Sequence, residues 1–379
     1  MTIFRLHVKK LFDGQNYIDD QVLTISDGKI IAFDSKTSQA DDVLQGFVVP
    51  GFIDLQVNGG GGALFNDSPS LKNIQTIITA HSKFGTTAML PTLITDKISV
   101  MEKAADAMAE AIAEKVPGII GIHFEGPHLS VAKKGAHIEE HIRPISSQEW
   151  KVLERKDIGQ ILVTLAPETV NAEDITRMVS LGIKVCLGHT NADFKTAQKA
   201  LDAGADGFTH LFNAMSPIQG REPGVTGCAF LNDQASCGLI VDGHHVDYDS
   251  CKLALKTKPA GSIFLVTDSM PPVGTTDVEF DLVGKKVRLE NGKLTSTTGE
   301  LAGSVLDMAT AVENTHLGLK IPLDEALRMA SKYPANYINQ TDIRGCLVIG
   351  SEADFVELDD NFKVKSTWIS GQAVYKKVS

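Results

Sequence analysis

The stretch Gly118-Ile119-Ile120-Gly121-Ile122-His123-Phe124-Glu125-Gly126-Pro127 is an apolar run that stops at a carboxylate. A charge at the end of a buried strand is costly unless it is paired or metal-bound. Three further runs stop in a similar way: Val185-Cys186-Leu187-Gly188 leads into His189, Gly207-Phe208-Thr209 into His210, and Val266-Thr267 into Asp268.

Working outward from Glu125, eight short apolar runs read as strands: 52–57, 86–91, 119–124, 161–166, 183–187, 207–210, 238–241 and 263–267. Helical periodicity fills most of the gaps, over 70–84, 98–115, 172–181 and 192–203. Thr190 and Asn191 read as N-caps of the last of these helices, and Gly204 as its stop. Eight such units predict an α/β chain built on a (β/α)8 TIM-type barrel rather than an open sheet. In that fold the C-terminal strand ends converge on one face. Gln56, Asn58, Glu125, His189, His210, Asp242 and Asp268 all fall at or just past such ends, so they meet in one pocket.

The two chain ends read differently. Runs 4–9, 22–25 and 29–33 alternate as short strands, with Asp27-Gly28 as a hairpin turn. Runs 354–358 and 363–375 repeat this character after a last helix at 323–333. The expected organisation is a small β-sandwich domain from residues 1–49 and 340–379, with a metal-dependent barrel domain at 50–339.

At 379 residues, 43% hydrophobic and 22% charged, the chain has a globular composition with a sizeable core. A net charge of −11 argues against a nucleic-acid surface, although one local arginine suffices for an anionic small substrate. Five scattered cysteines fit buried thiols rather than a disulfide framework or a zinc knuckle. No apolar run approaches the ~18 residues of a spanning helix, and residues 1–10 do not resemble a signal peptide. A cytoplasmic protein with no membrane partner is expected.

One carboxylate and two imidazoles are what a divalent transition metal takes when a position stays open for water, so Glu125, His189 and His210 are the expected ligands. For Glu125 alone a rim ion pair is the alternative; for the histidines it is a satisfied structural role. Asp268 is expected to accept a proton from water and deliver it to a leaving amine, or to cap a helix. Gln56 and Asn58 stand where many barrel hydrolases carry a His-x-His pair for a second metal, and neutral amides are poor ligands. Strand four, 161–166, carries no lysine to bridge two metals. One metal is therefore expected. Asn58-Gly59-Gly60-Gly61-Gly62 lacks the ending of a nucleotide loop and reads as a mobile or tight rim loop.

In order along the chain, Pro50 to Gly59, His123 to Pro127, Lys134 to His137, Gly188 to Thr190, His210 to Met215, Gly220 to Gly224, Asp242 to Val246 and Val266 to Asp268 resemble the N-acetylglucosamine-6-phosphate deacetylase family of the amidohydrolase superfamily. The resemblance implies a hydrolase that removes acetate from N-acetyl-D-glucosamine 6-phosphate in amino-sugar catabolism. It implies Glu125, His189 and His210 as ligands of one divalent metal, zinc first and Fe2+, Co2+ or Mn2+ as alternatives, with Asp268 as general base and acid. It implies that His137 binds the amide carbonyl, that Asn213 and Ala214 contact substrate, and that Arg221 and His245 bind phosphate across the interface of a homodimer. Gln56 and Asn58 match the branch lacking the first-strand histidine pair. A guanidinium fork suits a phosphate dianion, which supports Arg221 independently. The rival enzyme, a ring-opening amidohydrolase of the dihydroorotase or hydantoinase type, wants the missing histidines and lysine. A silent barrel scaffold is the rival of another class.

Overall fold

The structure, a computed structural model, describes residues 3–35, 39–282, 284–296 and 299–377. Its central element is an eight-stranded parallel sheet in chain order: Phe52–Val57, Thr86–Ile94, Gly121–Glu125, Gln160–Leu165, Lys184–Leu187, Gly207–Phe208, Ser236–Leu239 and Ile263–Leu265. Each expected barrel strand overlaps one of these. Among the described residues, strand eight meets strand one through a single bridge, Val57 to Ser269. The strands are almost wholly buried because the barrel interior lies on one face and the helices on the other.

Helices Leu71–Ser82, Ile98–Ala113, Ala172–Ser180 and Phe194–Asp202 lie where the periodicity puts them. The cap of the last differs from expectation. Asp193 accepts from Thr196 N at 2.8 Å and starts the helix, whereas the Thr190 hydroxyl donates to the Glu168 carboxylate at 2.5 Å and accepts from Ala192 N at 3.0 Å, ahead of the helix. The charged Asp193 carboxylate, three residues after Thr190, is the better acceptor at the positive end of the helix dipole.

Both chain ends share one seven-stranded sheet. Its order is Gln372–Lys376, Val364–Ile369, Phe355–Leu358, Asp42–Pro50, Ile3–Phe12, Tyr17–Ser26 and Lys29–Ser35. Phe4 and Trp368 stack with centroids 6.1 Å apart although two strands separate theirs, so the sheet curls over its own core. Asp27 and Gly28 both have positive φ, 49° and 82°, as a two-residue hairpin turn requires. The central strand Asp42–Pro50 is absent from the sequence reading, since Gly46 and Pro50 interrupt its pattern. Gly46 is required there: a Cβ would lie 2.4 Å from the Leu358 carbonyl oxygen.

A third, three-stranded sheet, Glu279–Leu282, Lys285–Glu290 and Lys293–Ser296, was not anticipated either. Its strands are short and charged, but Leu282, Val287 and Leu294 are buried against Leu64, Ile94 and Met270 at the barrel mouth. Among the cysteines, Cys186, Cys228, Cys237 and Cys251 are buried and Cys346 is half-buried, all as free thiols. Among the described residues no helix is long and apolar enough to cross a membrane.

Candidate active site

The barrel strands deliver Glu125, His189 and His210 to one point. Glu125 Oε1 lies 3.1 Å from His189 Nε2 and 3.0 Å from His210 Nε2, and the two ring nitrogens are 3.0 Å apart. All three residues are buried. Burial pushes the Glu125 carboxyl up, but the two imidazoles outweigh it and hold the group well below the usual carboxylate range.

This donor set fits one divalent cation. His189 Nδ1 donates to the Lys133 carbonyl oxygen at 2.9 Å, which leaves Nε2 as the lone-pair nitrogen. His210 Nδ1 is buried without a protein partner, so the carboxylate and imidazole cluster is all that occupies this ring's polar edge. Two imidazole nitrogens turned toward each other across a carboxylate oxygen are explained by a shared cation.

Asp268 stands beside the trio. Its carboxylate accepts from Asn58 Nδ2 at 2.6 Å and Gln56 Nε2 at 3.1 Å, and Gln56 also donates to Glu125 Oε1 at 3.2 Å. Gln56 thus bridges Asp268 to Glu125, and Asn58 supports Asp268 alone. Burial, then the Glu125 charge, pushes the Asp268 carboxyl up. Asp268 caps no helix; its carbonyl accepts from Ser304 N at 2.9 Å.

His189, His210 and Asp268 share a strained backbone, with φ of 48°, 31° and 52°. Such a conformation costs about 1–3 kcal/mol at a non-glycine residue and persists only where surrounding structure over-determines it.

A cavity of about 340 Å³ opens over the cluster, large enough for one monosaccharide-sized ligand. Asn58, His137, Asn213, Ala214 and His245 line it with the trio and Asp268. Burial pushes the His137 imidazole down to about 3, so the ring is neutral at pH 7. Its Nδ1 accepts from Thr95 N at 3.3 Å, which makes Nε2 the donor edge. His245 Nδ1 pairs with Asp242 Oδ2 at 2.6 Å.

The two residues expected at the phosphate stand apart in the chain's own structure. His245 lines its own chain's cavity. Arg221 does not line that cavity; it is exposed at the tip of a turn closed by Gln219 and Glu222. Glu222 anchors this turn by accepting from Phe194 N and Gly224 N. The apolar wall formed by Ile94, Met270, Leu282 and Leu301 was not read from sequence, because its members come from the barrel rim and the three-stranded sheet. The glycine run forms a tight hairpin, Gly59–Gly60 against Ala63–Leu64, with Gly61 and Gly62 at φ 64° and 82°.

Comparison with known proteins places this geometry. The amidohydrolase family pattern matches residues 47–374. The chain is 47% identical to the N-acetylgalactosamine-6-phosphate deacetylase of Shewanella sp. (strain ANA-3) over 97% of this chain and 95% of that protein. The crystal structure of N-acetylglucosamine-6-phosphate deacetylase from Pasteurella multocida superposes with a TM-score of 0.93 at 36% identity, covering 98% of this chain and 99% of that one. A Mycobacterium smegmatis N-acetyl-D-glucosamine-6-phosphate deacetylase mutant, solved in complex with N-acetyl-D-glucosamine-6-phosphate, superposes at 0.91 with 28% identity over 99% of this chain and all of that one.

Proposed function

This chain belongs to the amidohydrolase family, and on that premise we propose that it removes acetate from N-acetyl-D-glucosamine 6-phosphate, leaving D-glucosamine 6-phosphate, in amino-sugar catabolism. The observation that carries the reading is the convergence of Glu125, His189 and His210 within hydrogen-bond distance of one another, with Asp268 held beside them. Its relatives in sequence and structure are deacetylases of this substrate class.

Glu125, His189 and His210 would hold the metal, zinc in the first instance. When bound, it supplies Lewis acidity toward water and the amide carbonyl. Asp268 takes the proton of the attacking water on a carboxylate oxygen and returns it to the departing nitrogen, so one carboxylate serves twice. His137, neutral and with Nε2 as its donor edge, donates to the carbonyl oxygen as charge develops there, an interaction whose loss typically costs ~100- to 1,000-fold in rate. Asn213 and the backbone of Ala214 orient the sugar, and the wall of Ile94, Met270 and Leu282 excludes water from its upper face.

For the phosphate, His245 acts within its own chain and Arg221 reaches the site of a second subunit in a homodimer. The exposed, anchored position of the Arg221 turn supports this arrangement, as does Ile218 beside it, a large apolar residue left 53% exposed. The division into a terminal β domain and a barrel domain at 50–339 is supported by the separate apolar cluster of the seven-stranded sheet. A cytoplasmic location follows from a sugar-phosphate substrate, which does not cross membranes unaided.

The 47% identity to an N-acetylgalactosamine-6-phosphate deacetylase favours a second reading, in which the galacto epimer is the better substrate. Steady-state acetate release from both 6-phosphates and from unphosphorylated N-acetylglucosamine tests the reading. Turnover of either 6-phosphate with a large preference over the free sugar supports it, and equal rates on the free sugar refute the phosphate site.

A further inference from the structure

We propose that Asp54 is a positioning residue for Asp268, acting through Thr267 at the seam between barrel strands one and eight. The inference rests on the general-base role given to Asp268 above.

Asp54 is fully buried. Its partners are one hydroxyl and two backbone N–H groups: Thr267 Oγ1 donates to Oδ2 at 2.5 Å, while Thr267 N and Gln56 N donate to Oδ1 at 3.3 and 3.2 Å. A buried carboxylate held this way is expensive, and an apolar residue would pack more cheaply at a purely structural position. What its oxygens hold is the residue immediately before Asp268.

The seam lacks a continuous ladder, since Val57 to Ser269 is the one bridge between these strands among the described residues. Individual hydrogen bonds replace it. Asp268 N donates to Gln56 O at 2.9 Å, and Asn58 N and Gly59 N both donate to Ser269 O at 3.0 Å. On the far side, Ser304 Oγ donates to Thr267 O at 2.6 Å and Ser304 N to Asp268 O. Thr267 is thus gripped by Asp54 on one side and Ser304 on the other, which fixes the peptide entering Asp268.

That grip matters because Asp268 has φ 52°. Freed of it, an L-residue relaxes toward negative φ and swings its side chain, and a misplacement near 1 Å can cost on the order of 100-fold in rate. Asp54 and the Thr267 hydroxyl therefore hold the Asp268 carboxylate against the Asn58 and Gln56 amides.

Thr267→Val removes the hydroxyl at constant shape, Thr267→Ser keeps it, and Asp54→Asn replaces one accepting oxygen with a donor. The expected result is a kcat lowered on the order of 10- to 100-fold in Asp54→Asn and Thr267→Val, with KM and metal per chain as in the parent and activity restored in Thr267→Ser. Crystal structures of the impaired variants should show Asp268 moved off Asn58 Nδ2. Parental kcat in folded Asp54→Asn and Thr267→Val, a loss confined to KM or metal content, or an unmoved Asp268 overturns the proposal. If Asp54→Asn does not fold, Thr267→Val decides alone. An inactive parent protein counts against the deacetylase reading, and the position of Asp268 in the variants still decides this one.

Discussion

Asn58 Nδ2 and Asp268 Oδ1 are 2.6 Å apart, the first at the end of barrel strand one and the second just beyond strand eight. With Gln56 Nε2 at 3.1 Å from the same oxygen, the carboxylate rests on two neutral donors. Hydrogen bonds from N–H groups favour its ionised form, so the pair both orients the carboxylate and stabilises its charge.

Asn58→Ala should therefore lower kcat about 10- to 100-fold, the size of a lost hydrogen bond to a charged acceptor, with KM little changed. Steady-state kinetics check it. A variant impaired only in KM would reassign Asn58 to substrate contact.

Asp268→Asn should abolish measurable turnover, consistent with the 100- to 10,000-fold contribution typical of general acid–base catalysis. Its metal content, read by elemental analysis, should match the parent. Glu125→Ala should lose both activity and stoichiometric metal, since it removes the oxygen that both imidazoles face. The contrast between these two variants separates base from ligand.

Mixing Arg221→Ala with Asp268→Asn chains tests the second-subunit role. In a mixed dimer, the site with intact Asp268 receives Arg221 from its partner. Activity should rise to about a quarter of parental, as random isologous pairing gives half mixed dimers with one working site each. No recovery beyond the separate variants would place Arg221 outside the neighbouring site.

Away from the cluster, Glu149 accepts from Arg143 Nε at 2.6 Å and contacts the Ser146 hydroxyl and N–H. Burial pushes its carboxyl up, but the Ser146 and Arg143 hydrogen bonds outweigh this and bring it from 4.5 down to about 2. The folded value lies below the unfolded one, so the contribution is fully present above pH 4.5 and is lost as pH falls toward 2. Thermal melts should show Glu149→Gln less stable than the parent at pH 7, with the gap closing across that window. A gap independent of pH would remove the ionised pair from the account.

The barrel was legible because each strand is an apolar run, and its tips carry Glu125, His189, His210 and Asp268, residue types that buried strands otherwise avoid. Hidden from sequence were the features that depend on tertiary approach. The positive φ at His189, His210 and Asp268 carries a much weaker residue-type signature than that at Gly61 and Gly62. Asp54 sits within an apolar run, and only the structure brings Thr267 of strand eight against it. Each short strand of the sheet Glu279–Leu282, Lys285–Glu290 and Lys293–Ser296 buries one apolar side chain, Leu282, Val287 or Leu294, a pattern too brief to separate from loop. Asp242 read as another pocket residue; its role is to hold the His245 ring.

Acetate release from N-acetylglucosamine 6-phosphate and its galacto epimer, by chelator-stripped protein titrated with zinc, tests the central claim most directly. Activity should be absent in the stripped protein, rise linearly with metal and plateau at one equivalent per chain. Full activity without metal, or a plateau at two equivalents, would contradict the single site of Glu125, His189 and His210.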